Sequence, residues 1–166
     1  VAGALAEPLS DADLLVLLQH DSDPFNRWES GQRLASKRLL AAIRAEAGTR
    51  EAVLDPAFLD AMRAVLRHPQ LDAAFKALVL ELPDENALAE PLDSVDPQRI
   101  HAVREAMLAQ LARDLHADWA WAFETHQTTG TYSPDPVSAG KRALANLALA
   151  MLCLDASATQ DTLWPG

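Results

Sequence analysis

Aspartate is followed by proline four times in this chain, at Asp23-Pro24, Asp55-Pro56, Asp96-Pro97 and Asp135-Pro136. An Asp side chain accepts hydrogen bonds from the free N–H groups that open a helix. Pro fits the first helical position because its missing N–H needs no partner there. Apolar residues at helical spacing follow each pair. Phe25, Trp28, Ala35, Leu39 and Ile43 follow the first, and Phe58, Met62, Val65 and Leu66 the second. After the third comes a stripe of Ile100, Val103, Met107, Leu111, Leu115, Trp119 and Phe123. The pairs therefore read as helix starts, 32 to 41 residues apart.

The same logic disposes of a metal loop in DSDPFNRWESGQ, residues 21–32. A calcium loop beginning at Asp21 needs an oxygen ligand where Phe25 stands, Gly where Asn26 stands and Glu where Gln32 stands.

The spacing predicts helices over residues 10–20, 24–47, 56–67, 72–82, 97–125 and 136–154, with a turn over 85–88 and a further helix starting near Ala156. No stretch alternates as a strand. Ala and Leu dominate while β-branched and aromatic residues are sparse, which also favours helix. The expected fold is all-α: antiparallel helix pairs stacked in series, as in a helical solenoid, although the pairs share no side-chain consensus. Trp121 lies off the long stripe and suits a helix that touches neighbours on two sides.

At 166 residues, 49% of them hydrophobic, the chain is long enough to bury a core as one domain. A net charge of −10 argues against nucleic acid and anionic membrane as partners, since both require clustered Lys and Arg. Cys153 is the only cysteine, so no internal disulfide forms. It lies in the apolar run ALAMLCLD and reads as a packed, inert thiol. The longest apolar stretch, residues 143–154, is interrupted by Asn146 and is too short to span a bilayer. The start, VAGALAEPLSDAD, has no initiator Met and no basic leader region. With no secretory or disulfide feature, the cytoplasm is the expected compartment.

Catalytic motifs are absent. No two of His20, His68, His101, His116 and His126 lie three or four apart, which rules out HExxH and any zinc pair on one helix turn. No GxSxG, P-loop or GxGxxG occurs.

Two stretches exceed what punctuation explains. One is Phe25-Asn26-Arg27-Trp28-Glu29 with Gln32. The other is LPDENALAEPLDSVDPQRIHAVREA, residues 82–106, an acidic connection too long for simple packing. At both, the chain resembles the C-terminal helical domain of the bacterial aminopeptidase N family, which are gluzincin zinc metallopeptidases. The first carries the pattern F-x-R-W-acidic-x-x-Q in Phe25, Arg27, Trp28, Glu29 and Gln32. The second carries L-P-x-E-N, A-E, D-P and I-x-x-V-R-E in Leu82, Pro83, Glu85, Asn86, Ala89, Glu90, Asp96, Pro97, Ile100, Val103, Arg104 and Glu105. Lys141, Arg142, Leu144 and Asn146 extend the likeness, which runs in order over residues 10–154.

The resemblance implies a non-catalytic piece of a zinc-dependent aminopeptidase that removes N-terminal residues from peptides. Residues 1–9 would be a tail from a preceding domain or linker. Residues 10–166 would be the first part of a longer α-α superhelix, cut at its C-terminal end. In this family HExxH, its distant Glu and the G-x-M-E-N motif lie in an upstream thermolysin-like domain, so no catalytic, metal or cofactor residue carries over. Zinc and peptide substrates belong to the parent. The partners implied are the catalytic domain and the rest of the superhelix. Arg27, Trp28, Glu85 and Glu90 are the expected interdomain docking residues, against the plainer reading that they only stabilise the superhelix from within. A free-standing helical interaction module is the competing reading. Such a module needs polar capping helices at its ends, whereas residues 143–154 are apolar on more than one side, so the isolated segment is expected to self-associate.

Overall fold

The structure, a computed structural model, describes residues 8–45 and 54–163, with side chains as far as residue 158. These residues form eight helices and no strand: α1 (Asp11–His20), α2 (Pro24–Arg44), α3 (Pro56–Arg67), α4 (Ala73–Val79), α5 (Glu85–Ala89), α6 (Pro97–Asp114), α7 (His116–Thr125) and α8 (Pro136–Leu163). The expected all-α array is what the chain adopts. Pairs α1/α2 and α7/α8 pack directly on each other, and α8 also lies against α4 and α6. Most of the expected tail, and the last residues of the helix predicted over 24–47, lie outside the described residues.

The Asp-Pro reading holds, with one diversion. Asp23 caps α2 through Phe25 N–H, Asp96 caps α6 through Gln98 and Arg99 N–H, and Asp135 accepts from Ser138 N–H. Asp55 stands at the start of α3 but makes no side-chain cap. Its carboxylate instead takes Arg38 Nε at 2.7 Å, and the same guanidinium reaches Asp11 at 2.5 Å, so one α2 arginine ties α1 to the start of α3.

The helix predicted over 97–125 is two helices, broken at Leu115 (φ −107°, ψ 21°). The stripe itself demands the break. From Val103 to Phe123 it advances in steps of four residues, and each such step rotates about 40° around a 3.6-residue helix. Over five steps that is about 200°, which would carry a straight helix's stripe from core to solvent. The bend returns Leu115 and Trp119 to the core, where both are fully buried. Trp119 Nε1 donates to Leu111 O at 3.1 Å and pins the joint.

The helix predicted over 72–82 stops at Val79, three residues before Leu82-Pro83, where the residue ahead of Pro is forced out of the α region. Gln32 Nε2 donates to the released carbonyl of Glu81 at 2.9 Å. At the other end, α8 runs unbroken to Leu163 instead of stopping near residue 154. Ser157 bonds back to Leu154 O at 2.8 Å, and Asp155 accepts from His116 at 2.7 Å. Continuous over Pro136–Ala158, α8 is long and apolar enough to cross a membrane by length and composition. It serves here as a packing helix, burying Leu144, Ala148 and Met151 against its neighbours. Cys153 follows Met151 by two residues, more than half a turn away, so its thiol is exposed on the outer face and not packed.

Gly140 sets how closely α8 approaches α4. A Cβ there would stand 2.9 Å from Ala74 N.

Candidate functional site

The first turn of α2 is built by the turn that precedes it. Asp21 accepts from Asp23 N–H at 2.7 Å and from Asn26 Nδ2 at 3.3 Å, so its carboxylate faces its own turn. Among the described residues, no three His, Cys, Asp or Glu gather to hold a metal ion. From that first turn the signature residues diverge. Phe25 is exposed and lies against half-buried Trp28, ring centroids 5.8 Å apart. Trp28 also lines a groove of about 570 Å³ between α1 and α2, together with Leu9, Leu14, Gln32 and Leu40. Glu29 pairs with Arg33 one turn on, at 2.8 Å.

Arg27 turns inward. It is 7% exposed and donates from Nε to Asp21 O, while its buried Nη1 has no partner. Lys76 of α4 is 4% exposed and also meets no carboxylate. It stands 5.8 Å from the Trp121 ring, and Arg67 covers that ring at 4.3 Å. Trp121 thus touches α3 and α4, as its off-stripe position predicts. Burial pushes the Lys76 ammonium below its ordinary pKa. His68, which caps α3, is pushed down by burial and by the charges of Arg27, Lys76 and His20.

The second predicted pair does not join the first. Glu85, at the start of α5, holds His101 Nδ1 at 2.8 Å and raises that imidazole's pKa, so it works within the fold. Glu90 caps α5 and is exposed, with no side-chain partner. The long connection is stitched down from α6. Arg104 Nε donates to Pro83 O at 2.9 Å, and Arg99 covers the end of α2 through Ala42, Ile43 and Ala45 carbonyls. Two further ties were not visible in the sequence. Asp118 of α7, 8% exposed, bridges Arg63 at 3.0 Å and Arg67 at 2.8 Å. Gln110 clasps the backbone N–H and C=O of Leu54. Neither Asp118 nor Gln110 lies in a motif; only a partner more than 50 residues distant gives each its meaning.

Comparison with known proteins places this arrangement. Residues 11–164 match the family described as a domain of unknown function (DUF3458_C) with ARM repeats. Aminopeptidase N of Caulobacter vibrioides is 37% identical over 151 residues, covering 87% of this chain and 16% of that protein. Aminopeptidase N of Escherichia coli K12 is 32% identical over 154 residues, covering 93% and 18% respectively. In fold, the chain superposes on the crystal structure of Legionella pneumophila aminopeptidase A in complex with aspartic acid, with a TM-score of 0.74 at 24% identity, covering 94% of this chain and 19% of that one. The chain thus spans less than a fifth of the relatives it matches. It belongs to the DUF3458_C family of ARM-repeat helical domains, and its likeness is to the C-terminal helical part of aminopeptidase N.

Proposed function

We propose that this chain is the accessory helical part of a zinc-dependent aminopeptidase, packing on the catalytic domain and helping to enclose the chamber in which peptides lose their N-terminal residues. The observation that carries the reading is the match to aminopeptidase N along 87–93% of the chain. Zinc, its ligands and the general base belong to the catalytic part of the parent, and this segment contributes rigidity and closure. Exposed Phe25, stacked on half-buried Trp28, is the surface of this signature offered to the rest of the enzyme, while Arg27 faces inward. Exposed Glu90 is available to the same role, whereas Glu85 is committed to His101. The cytoplasm is the proposed compartment.

Sequencing the coding DNA upstream of Val1 in the source genome tests this reading. An in-frame HExxH with a downstream Glu is the expected result. A start codon just before Val1, with no such motif upstream, would overturn it and leave a free-standing helical interaction module.

A further inference from the structure

The groove of about 570 Å³ between α1 and α2 has an apolar floor of Leu9, Leu14, Trp28 and Leu40. Leu9 is 45% exposed and Trp28 is half-buried, so that floor is open to water. Pro8 lines the groove as well, so the chain enters it at the first of the described residues. Seven residues, Val1–Glu7, precede Pro8 and read VAGALAE. Val1, Ala2, Ala4, Leu5 and Ala6 are apolar, and Glu7 is the only charged side chain. Lys37, half-exposed on the rim, shares Asp11 with Arg38 and keeps donors for a further carboxylate such as Glu7. The lengths agree too. Along α2, Trp28 to Leu40 spans about 18 Å at about 1.5 Å per residue. A seven-residue extended segment reaches about 23–25 Å, and the residue ahead of a proline favours extended backbone.

We propose that the α1/α2 groove is the seat of the chain's own first residues, Val1–Glu7, with Leu5, their largest apolar side chain, as the anchor. Any other occupant has to enter beside Pro8 and Leu9, whereas this segment is tethered there. A short tether holds its segment at an effective concentration on the order of mM, which a separate partner has to match. Groove and segment both belong to this chain, so their contact does not depend on the docking reading above. Where that reading holds, the contact has a consequence. The connection from the preceding domain is then laid along α1 and α2, which fixes where the chain enters beside the Phe25–Trp28 pair.

Cross-linking in the full chain tests this. Cys153→Ser removes the one native cysteine. On that background Leu5→Cys is combined with Ser36→Cys, a near-isosteric change inside the groove, or with Val137→Cys, exposed on α8, as the control. Under mild oxidation of dilute protein, the groove pair should close within one chain at least about tenfold faster than the control pair. Equal rates would overturn the proposal. A groove-pair disulfide that joins two chains would overturn it as well and give the groove to a second copy. Leu5→Asp needs no cross-link and should raise acrylamide quenching of Trp28, read as the difference from a Trp28→Phe chain; unchanged quenching would also overturn the seat. A structure of the full-length polypeptide in which residues outside these 166 fill the groove would overturn it too, and would leave the docking reading standing.

Discussion

Replacing Gln110 by Leu should be among the most damaging single changes in this fold. The Gln110 amide accepts from Leu54 N–H at 2.5 Å and donates to Leu54 O at 3.0 Å. Leu54 is 1% exposed and Gln110 7%, so water cannot replace the amide without opening the core. Leucine leaves one buried donor and one buried acceptor unmatched, each costing about 1–3 kcal/mol. Its better transfer from water offsets about 1–2 kcal/mol of that. The net loss is about 2–4 kcal/mol, or a melting temperature lower by very roughly 5–15 °C for a domain of this size. Urea unfolding followed by far-UV circular dichroism measures it. Gln110→Glu makes a second arm, because a carboxylate accepts from Leu54 N–H but cannot donate to Leu54 O, and it faces Asp114, to which the amide now donates at 3.3 Å. Its deficit relative to the native chain should shrink as pH falls and the carboxyl regains a proton to donate. If Gln110→Leu unfolds within about 0.5 kcal/mol of the native chain, as an ordinary surface change would, the clasp contributes nothing and the reasoning fails.

Gly140→Ala should destabilise by about 1–3 kcal/mol despite alanine's better helix propensity, because the new Cβ meets the backbone of Ala74. Gly31→Ala meets only the tip of Leu18 at 3.2 Å and should cost less; equal losses in thermal melts would contradict the steric account. Lys37 and Arg38 hold the Asp11 carboxyl below its ordinary value, and Arg38 does the same for Asp55. Depressed carboxyl values give stability that is present above the unfolded pKa, near 3.9, and lost as pH falls through the lower folded values. Arg38→Met should therefore flatten the loss of stability below about pH 4, and an unchanged acid limb in pH-dependent melts would refute the link. The outer face of α8, with Leu149 and Cys153 exposed, should make the isolated segment associate as its concentration rises; a strictly monomeric sedimentation profile at high concentration, under reducing conditions, would count against this.

The helix starts were legible because Asp-Pro acts locally: the cap and the first helical residue are chemical neighbours, and no distant partner is needed to read them. The break at Leu115 was missed: the stripe reads as one helix over 97–125, and only the accumulated rotation of its steps of four, set against the packed core, explains the two helices. What else stayed hidden shares one property, a partner far along the chain. Asp118, Gln110 and Arg99 look like ordinary helix-surface residues until α3, Leu54 and the end of α2 are brought beside them. Cys153 misled for the complementary reason, since an apolar run does not say which of its faces is covered.

The same distinction divides the docking residues. A buried charge paired within the fold and one at an interface are identical in sequence, and only the placement of neighbouring groups tells them apart. For Glu85 that placement shows an internal partner in His101. For Arg27 no carboxylate pairs with it: Asp21 turns its carboxylate to Asp23 N–H and Asn26 and offers Arg27 its backbone carbonyl. Arg27 is thus matched as Arg104 is, through a backbone carbonyl at Nε, and its buried Nη1 stays without a partner.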